Sequence, residues 1–223
     1  MGSKGVDELG TDLRKMLADK DHPQLEEAIR LALTDGGALD ALLDGLTSKE
    51  ETYRYNCFEV LLWISESRSQ VLYPQWDHFV GLLGSSNGFY RSMALRLIAN
   101  LTGADEEGRF ESIFERYFEL LDDEKVMVAR YLAQSAGVIA RRKPHLQARI
   151  AEKLLGIEQA HHTEGRKALV KADALEFLAA FFEVLPEKER ALAFAEGLLT
   201  SSSPKARKAA QAFLDERREA VKK

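Results

Sequence analysis

Apolar residues recur along this chain at the three-then-four spacing that places them on one side of a helix, and the clearest stretch, residues 76–139, writes the same helix pair twice. In the first copy Gln75 to Leu83 ends at Gly84-Ser85-Ser86-Asn87-Gly88, and Phe89 to Leu101 follows. In the second, Gly108 to Leu121 ends at Asp122-Asp123, and Glu124 to Ile139 carries Val128, Tyr131, Leu132, Ser135 and Ala136 in the matching phase. No period-two alternation competes with this pattern. A short helix pair leaves one apolar face uncovered, so each pair needs a neighbour of its own shape.

The same reading extends to both ends. Val6 to Ala18 predicts a first helix with Val6, Leu9, Leu13, Met16 and Leu17 on its apolar side, stopped by Asp21-His22-Pro23. Asp21 or His22 is then the expected cap of a helix over Gln24 to Leu33, with Pro23 in its first turn, ending at Asp35-Gly36-Gly37. Residues 5–36 are read as a terminal cap covering the first core layer. Ala38 to Leu46 predicts a short outer helix. Ser48 and Glu51 form the expected capping box of Lys49 to Ser67. Arg68 to Tyr73 reads as a connection, and Pro74, Pro144 and Pro186 each open an outer helix. The inner helices Arg166 to Val184 and Lys205 to Ala220 complete the series, the last capped by Ser201-Ser202-Ser203-Pro204. No composition shift marks a linker, so residues 1–223 are expected to form one domain, with 38–220 repeated. Met1-Gly2-Ser3-Lys4 is read as a start residue with a cloning remnant or frayed end.

Aligning the inner helices by phase brings a basic residue near the start of each: Arg54, Arg91, Lys125, Lys171 and Arg207. Three residues later stand Cys57, Ala94, Val128, Ala174 and Ala210, all small or medium apolar. The basic positions are 37, 34, 46 and 36 residues apart. That averages near the roughly 40 residues of a HEAT unit. Tyr90-Arg91-Ser92-Met93-Ala94-Leu95 and Lys205-Ala206-Arg207-Lys208-Ala209-Ala210 resemble the basic-x-x-Ala start of the inner helix in HEAT-repeat proteins. The resemblance covers residues 38–220 and implies an all-α, right-handed α-solenoid of about five helix pairs. It points to a function class only weakly, because such arrays serve many roles.

Composition changes the picture in three places. Cys57 is the single cysteine, which excludes an intramolecular disulfide and a cysteine-based zinc site; its phase makes it a small core residue. The net charge of −5 divides unevenly, with 14 Lys/Arg against 24 Asp/Glu in residues 1–140 and 17 against 12 in 141–223. Such a field steers charged partners and can favour head-to-tail self-contact. The greasiest stretches, Val60 to Ile64 and Leu175 to Leu185, are too short or too interrupted to cross a bilayer, and no leader precedes them, so a soluble, cytoplasmic protein is expected.

Candidate chemistry is sparse. His161-His162, near Glu158 and Glu164, lacks the converging third ligand a metal needs, and no metal or cofactor is expected. No nucleophile elbow, phosphate loop or dinucleotide fingerprint appears, so no catalytic residue is assigned. Trp63 and Trp76-Asp77 invite comparison with HEAT-like alkylpurine DNA glycosylases, but Trp63 is in phase with a very apolar helix and reads as core, while Trp76 suits a staple or inter-repeat contact. The acidic first part of the chain also opposes phosphate binding, which leaves nucleic acid as the second reading. The first is a non-catalytic protein-interaction scaffold. Its expected site is the concave inner-helix face at Arg130, Arg141, Arg142, Lys167, Lys171, Arg207 and Lys208, and its partner a protein or peptide of acidic character.

Overall fold

The computed structural model describes residues 3–221, with side chains for 10–217, and every regular element among them is a helix. They fall into two compact units that meet in sequence between Leu82 and Leu83.

The first unit contains α1 (Ser3–Leu17), α2 (Leu25–Thr34), α3 (Gly36–Gly45), α4 (Glu51–Ser67), the four-residue α5 (Ser69–Leu72), a 3-10 turn at Tyr73–Gln75 and α6 (Trp76–Leu82). Helices α1, α2 and α3 pack on one another and on α4. Leu13, Leu17, Ala28, Leu42, Cys57, Leu61 and Ile64 form a closed core between them. The expected core side chains Val6 and Leu9 lie outside the described residues. The buried Asn56 amide donates to the Leu17 carbonyl at 2.8 Å and so ties the middle of α4 to the end of α1. At the crossing of α3 and α4 the chains approach so closely that a Cβ on Gly45 would collide with Cys57 Sγ. Burial pushes the Cys57 thiol up to about 12, as befits an inert core residue.

Several local expectations are corrected here. The N-cap of α4 is Glu50, without a side-chain cap, and Ser48 Oγ instead accepts from the Glu50 N–H at 3.2 Å, so the Ser48–Glu51 box does not form. Pro23 lies ahead of α2, because Asp19 accepts from the Asp21 and His22 N–H groups and extends the turn. The segment after α4 is a further helical turn. Trp63, expected in the core, is 43% exposed. Phe58, Val60, Leu61, Leu62 and Ile64 already fill the buried sides of α4, and Trp63 falls on the remaining one. Trp76 is the buried tryptophan, tilted against Tyr73 at 5.8 Å.

The second unit contains α7 (Gly88–Leu101), α8 (Arg109–Glu119), α9 (Val126–Arg142), α10 (Gln147–Leu155), α11 (Glu164–Ala180), α12 (Lys188–Glu196) and α13 (Pro204–Val221). Helix α9 packs between α7 and α11, and α11 between α9 and α13, so these four long helices form an inner row. Small side chains make this possible. Ala94, Ala129, Ala136, Ala174, Ala206 and Ala210 are fully buried along the row and let the backbones come close. In the second layer α10 touches α9, α11 and α12, while α12 touches α13. Helix α8 contributes the buried block Phe110, Phe114, Tyr117 and Phe118, and the Tyr117 hydroxyl donates to the Leu95 carbonyl of α7 at 2.8 Å.

The start of α8 is a small electrostatic device. Gly108 takes a left-handed φ of 72°, the only positive φ among the described residues, and turns the chain so that Asp105 accepts from the N–H groups of Arg109 and Phe110. The buried Lys143, just past α9, then bridges Asp105 Oδ2 at 2.9 Å and Glu111 at 3.0 Å, and His145 reaches Glu111 at 2.8 Å. Burial opposes the Lys143 charge, yet its bonds to Asp105 and Glu111 outweigh that and raise its pKa. Partial burial likewise opposes the Glu111 charge, but bonds from Lys143, its own backbone N–H and His145 hold its carboxyl below the ordinary 4.5.

Two outcomes follow. Ala94→Asp, which places a carboxylate at a fully buried contact of the inner row, is expected to cost at least about 3 kcal/mol of unfolding free energy in denaturant titration; unchanged stability would show that this position does not face the row. Because the folded Glu111 pKa is depressed, its contribution is complete above the ordinary value of 4.5 and disappears as pH falls through the lower folded value. Urea midpoints measured from pH 7 to pH 3 should therefore fall more steeply in the wild type than in Glu111→Gln, and parallel curves would contradict the assignment.

Candidate partner-binding surface

Helices α4, α7, α11 and α13 each follow a turn whose carbonyl is held by a cation from the helix's first turn. Arg54 donates to the Ser48 carbonyl at 2.7 Å, Arg91 to that of Ser85 at 2.7 Å, Arg207 to that of Ser201 at 2.6 Å, and Lys167 to that of Glu158 at 2.8 Å. All four cations are the fourth residue of their helices. The corresponding residue of α9 is Ala129. These positions, 54, 91, 129, 167 and 207, are 37, 38, 38 and 40 residues apart, a steadier repeat than the basic residues alone suggest. Lys125 is instead the residue preceding α9, and Lys171 stands one turn deeper in α11 than its expected register. The Ser-x5-Arg spacing before α4, α7 and α13 was present in the sequence and is the signal that locates the clamp.

Neighbouring helices of the row are joined by ion pairs. The buried Arg91 guanidinium makes a two-pronged bond to Asp123, at 2.6 and 2.7 Å, and Asp123 in turn accepts from the Lys125 N–H at 2.8 Å. Midway along α11, Asp173 is buried between Arg130 of α9, at 2.7 Å, and Lys205 of α13, at 2.5 Å. A single carboxylate thus connects three helices, and it leaves a local surplus of positive charge.

The seven candidate residues therefore separate into two groups. Arg130 is spent on Asp173, with a second nitrogen 3.7 Å from the Met127 sulfur. Lys167 closes the α11 turn and also meets Glu164 at 3.3 Å. Lys171 is buried, its ammonium against Glu158 and 5.4 Å from the Phe194 ring centroid, and burial lowers its pKa. Arg207, though exposed, holds the Ser201 carbonyl. Arg141, Arg142 and Lys208 are exposed and make no ion pair among the described residues. Arg142 runs beside the Gly103 backbone and Arg141 beside Gly137, both at the end of α9.

Between these cations, α9 turns Tyr131, Gln134, Val138 and Arg141 toward solvent at successive helical turns. Arg96 of α7 lies over the Tyr131 ring at 5.5 Å from its centroid, and Met127, one turn earlier, is 44% exposed. The face is thus polar and aromatic with two arginines at one end. Of this stripe only Arg141 was among the site residues expected from the sequence, because the exposure of Met127, Tyr131, Gln134 and Val138 depends on how α7 and α11 flank α9.

Other candidates resolve into local structure. His161 caps Asp122, which accepts from its backbone N–H at 2.6 Å and its ring at 2.5 Å, whereas His162 is buried against the Leu121 carbonyl at 3.2 Å. The two rings serve different partners, and no group of three or more His, Cys, Asp or Glu side chains converges among the described residues. Trp76 is covered and offers no open aromatic wall. A cavity of about 790 Å³ lies in the second layer between α8 and α10, with Arg190 of α12 at its rim. Three of its charged groups are matched to one another: Glu115 takes both Arg149 at 2.9 Å and Lys153 at 2.5 Å, and Arg149 covers the Phe114 ring at 4.1 Å. No helix of the described residues is long and apolar enough to cross a membrane.

No protein-family model matches the chain, and no curated protein does. Among solved structures it is similar to a designed armadillo repeat protein, with 22% identity over 96% of this chain and 95% of the other and a TM-score of 0.58. A second similar structure is an engineered protein, at 20% identity over 96% of each chain and a TM-score of 0.48. The armadillo likeness carries the fold: the chain is an all-α helical-repeat protein.

Proposed function

We propose that this protein is a non-catalytic scaffold that binds a protein segment on the inner-row face of its second unit, and that its repeats are of the HEAT type read from the inner-helix phrases. The observation that carries the reading is the solvent-facing stripe of α9, where Tyr131, Gln134, Val138 and Arg141 stand exposed or half-buried on a helix packed on both sides. A helix so flanked cannot move to cover that stripe itself, so the stripe is available to a ligand without reorganisation. The helical-repeat fold supports the same reading, since stacked repeats present extended faces to partners.

The chemistry of the face selects the partner. Arg141, Arg142 and Lys208 supply exposed cations without an ion pair among the described residues, whereas Arg130 ties α9 to α11 and Lys167, Lys171 and Arg207 hold the turns before their own helices. An acidic segment fits, its carboxylates on the free cations and an apolar or aromatic side chain against Tyr131 and Val138. Free rim charges of this kind act chiefly on association and its salt dependence.

A fluorescent peptide of alternating Glu and Leu, titrated at low salt, is expected to bind the wild type and to bind Arg141→Glu/Arg142→Glu/Lys208→Glu about tenfold or more weakly. The reading is overturned if the peptide does not bind, or if the triple variant binds it equally well. Duplex DNA, displacing the peptide and losing affinity with the same substitutions, would instead favour a nucleic-acid function.

A further inference from the structure

The first unit carries a second exposed face, of opposite chemistry. Along α4, Tyr55, Glu59, Trp63 and Glu66 fall at i, i+4, i+8 and i+11 and so share one side of the helix. Tyr55 is 49% and Trp63 43% exposed, while the core-facing sides of the same helix are closed. Helix α2, packed on α4, adds the 36% exposed Leu33. Three large apolar side chains in solvent on two adjoining helices are more than the core requires.

The charges on this face say what covers it. Among the described residues neither Glu59 nor Glu66 is in an ion pair. The one cation of α4, Arg54, is turned to the Ser48 carbonyl. Residues 1–82 hold 8 Lys/Arg against 15 Asp/Glu. Three of those cations are already engaged, Arg14 with Glu50, Lys15 with Asp12 and Arg30 with Glu27. The unit therefore has a surplus of carboxylates, and two of them flank an exposed indole. Aromatic faces attract cations, Trp most strongly, and adjacent carboxylates add to that attraction. An anionic or purely apolar ligand would leave Glu59 and Glu66 buried and unpaired.

We infer that the α4 face binds an extended segment of another protein that carries Lys or Arg, one cation on each ring with Glu59 and Glu66 as counter-charges. The geometry also sets a spacing. Tyr55 and Trp63 are eight residues apart, about 12 Å along the helix axis. An extended chain covers that distance in about four residues and returns its side chains to the same side. The matching ligand therefore has basic residues at i and i+4. This face and the α9 face differ in sign, unit and contacts, so either can fail without the other.

The 223-residue chain reports on this directly, because Trp63 is exposed and Trp76 is buried. Tryptophan emission is followed while a Gly/Ser peptide with Arg at i and i+4 is added at low salt. The expected result is a saturable change that Trp63→Phe removes and that high salt suppresses. Glu59→Gln/Glu66→Gln should weaken the affinity about tenfold, with circular dichroism confirming an unchanged fold. The inference is overturned if no saturable change occurs, or if the double Gln variant binds as tightly as the wild type. It is overturned equally if sedimentation shows self-association that Trp63→Ala abolishes, since a second copy would then be the occupant of the face.

Discussion

Close approach of neighbouring helices in the inner row is the constraint on which the second unit depends. A helix pair of this length buries too little apolar surface to stand alone, so α9 and α11 must each be covered on both flanks. Alanines at the contacts allow the backbones to meet, and small side chains contribute little burial individually but bring many atoms within van der Waals range. That closeness has an electrostatic consequence. Helices held side by side bring their first turns together, and the polar groups there must be satisfied within the row. The Arg91–Asp123 and Arg130–Asp173–Lys205 bonds meet that demand. Buried pairs of this kind add little net stability over apolar replacements, but losing one partner is costly, so they fix register more than they strengthen packing.

This division explains which cations are available for recognition. A cation at the fourth position of an inner helix reaches back to a carbonyl of the preceding turn, where a charge-assisted bond replaces the water that packing removes. Arg54, Arg91, Lys167 and Arg207 all obey that rule. Cations near the end of a helix face no such demand, and they are favoured there by the helix dipole. Arg141 and Arg142, in the last turn of α9, are the clear case.

Much of the architecture was legible in the sequence for the same reason that it is stable. The three-then-four spacing, the polar turns and the alanine phrases at Ala94 and Ala210 reflect the packing of one helix against the next, and that packing is local enough to leave a periodic trace. What was not legible depended on distant partners. Trp63 sits among apolar neighbours in sequence, and nothing there reveals that α4 is already covered on its other sides. Lys125, Lys171 and Arg130 look equivalent to Arg91 as basic residues, yet one precedes its helix, one is buried against Glu158 and one crosses to Asp173. The serine-to-arginine spacing was the better guide, since it records a bond within one turn and helix. The failure of the Ser48 capping box shows the same limit at smaller scale: a motif that fits a helix start does not decide where the helix begins.

The two exposed faces then pose one physical question, which is why groups that could be paired are left open. In the inner row Asp123 is paired with Arg91, and Asp173 holds two cations. Glu59 and Glu66 are close in sequence to Arg54 and Arg68, but Arg54 is committed to its turn and Arg68 lies beyond the helix end. The clamp keeps Arg54 at its turn, and α4 holds no other cation, so its aromatic stripe retains its negative charge. The same rule applied to α9, whose fourth residue is Ala129, frees that helix from the clamp and leaves Arg130 to link it to α11. The bonds that set the register of the repeats therefore also determine the charge each face has left to offer a partner.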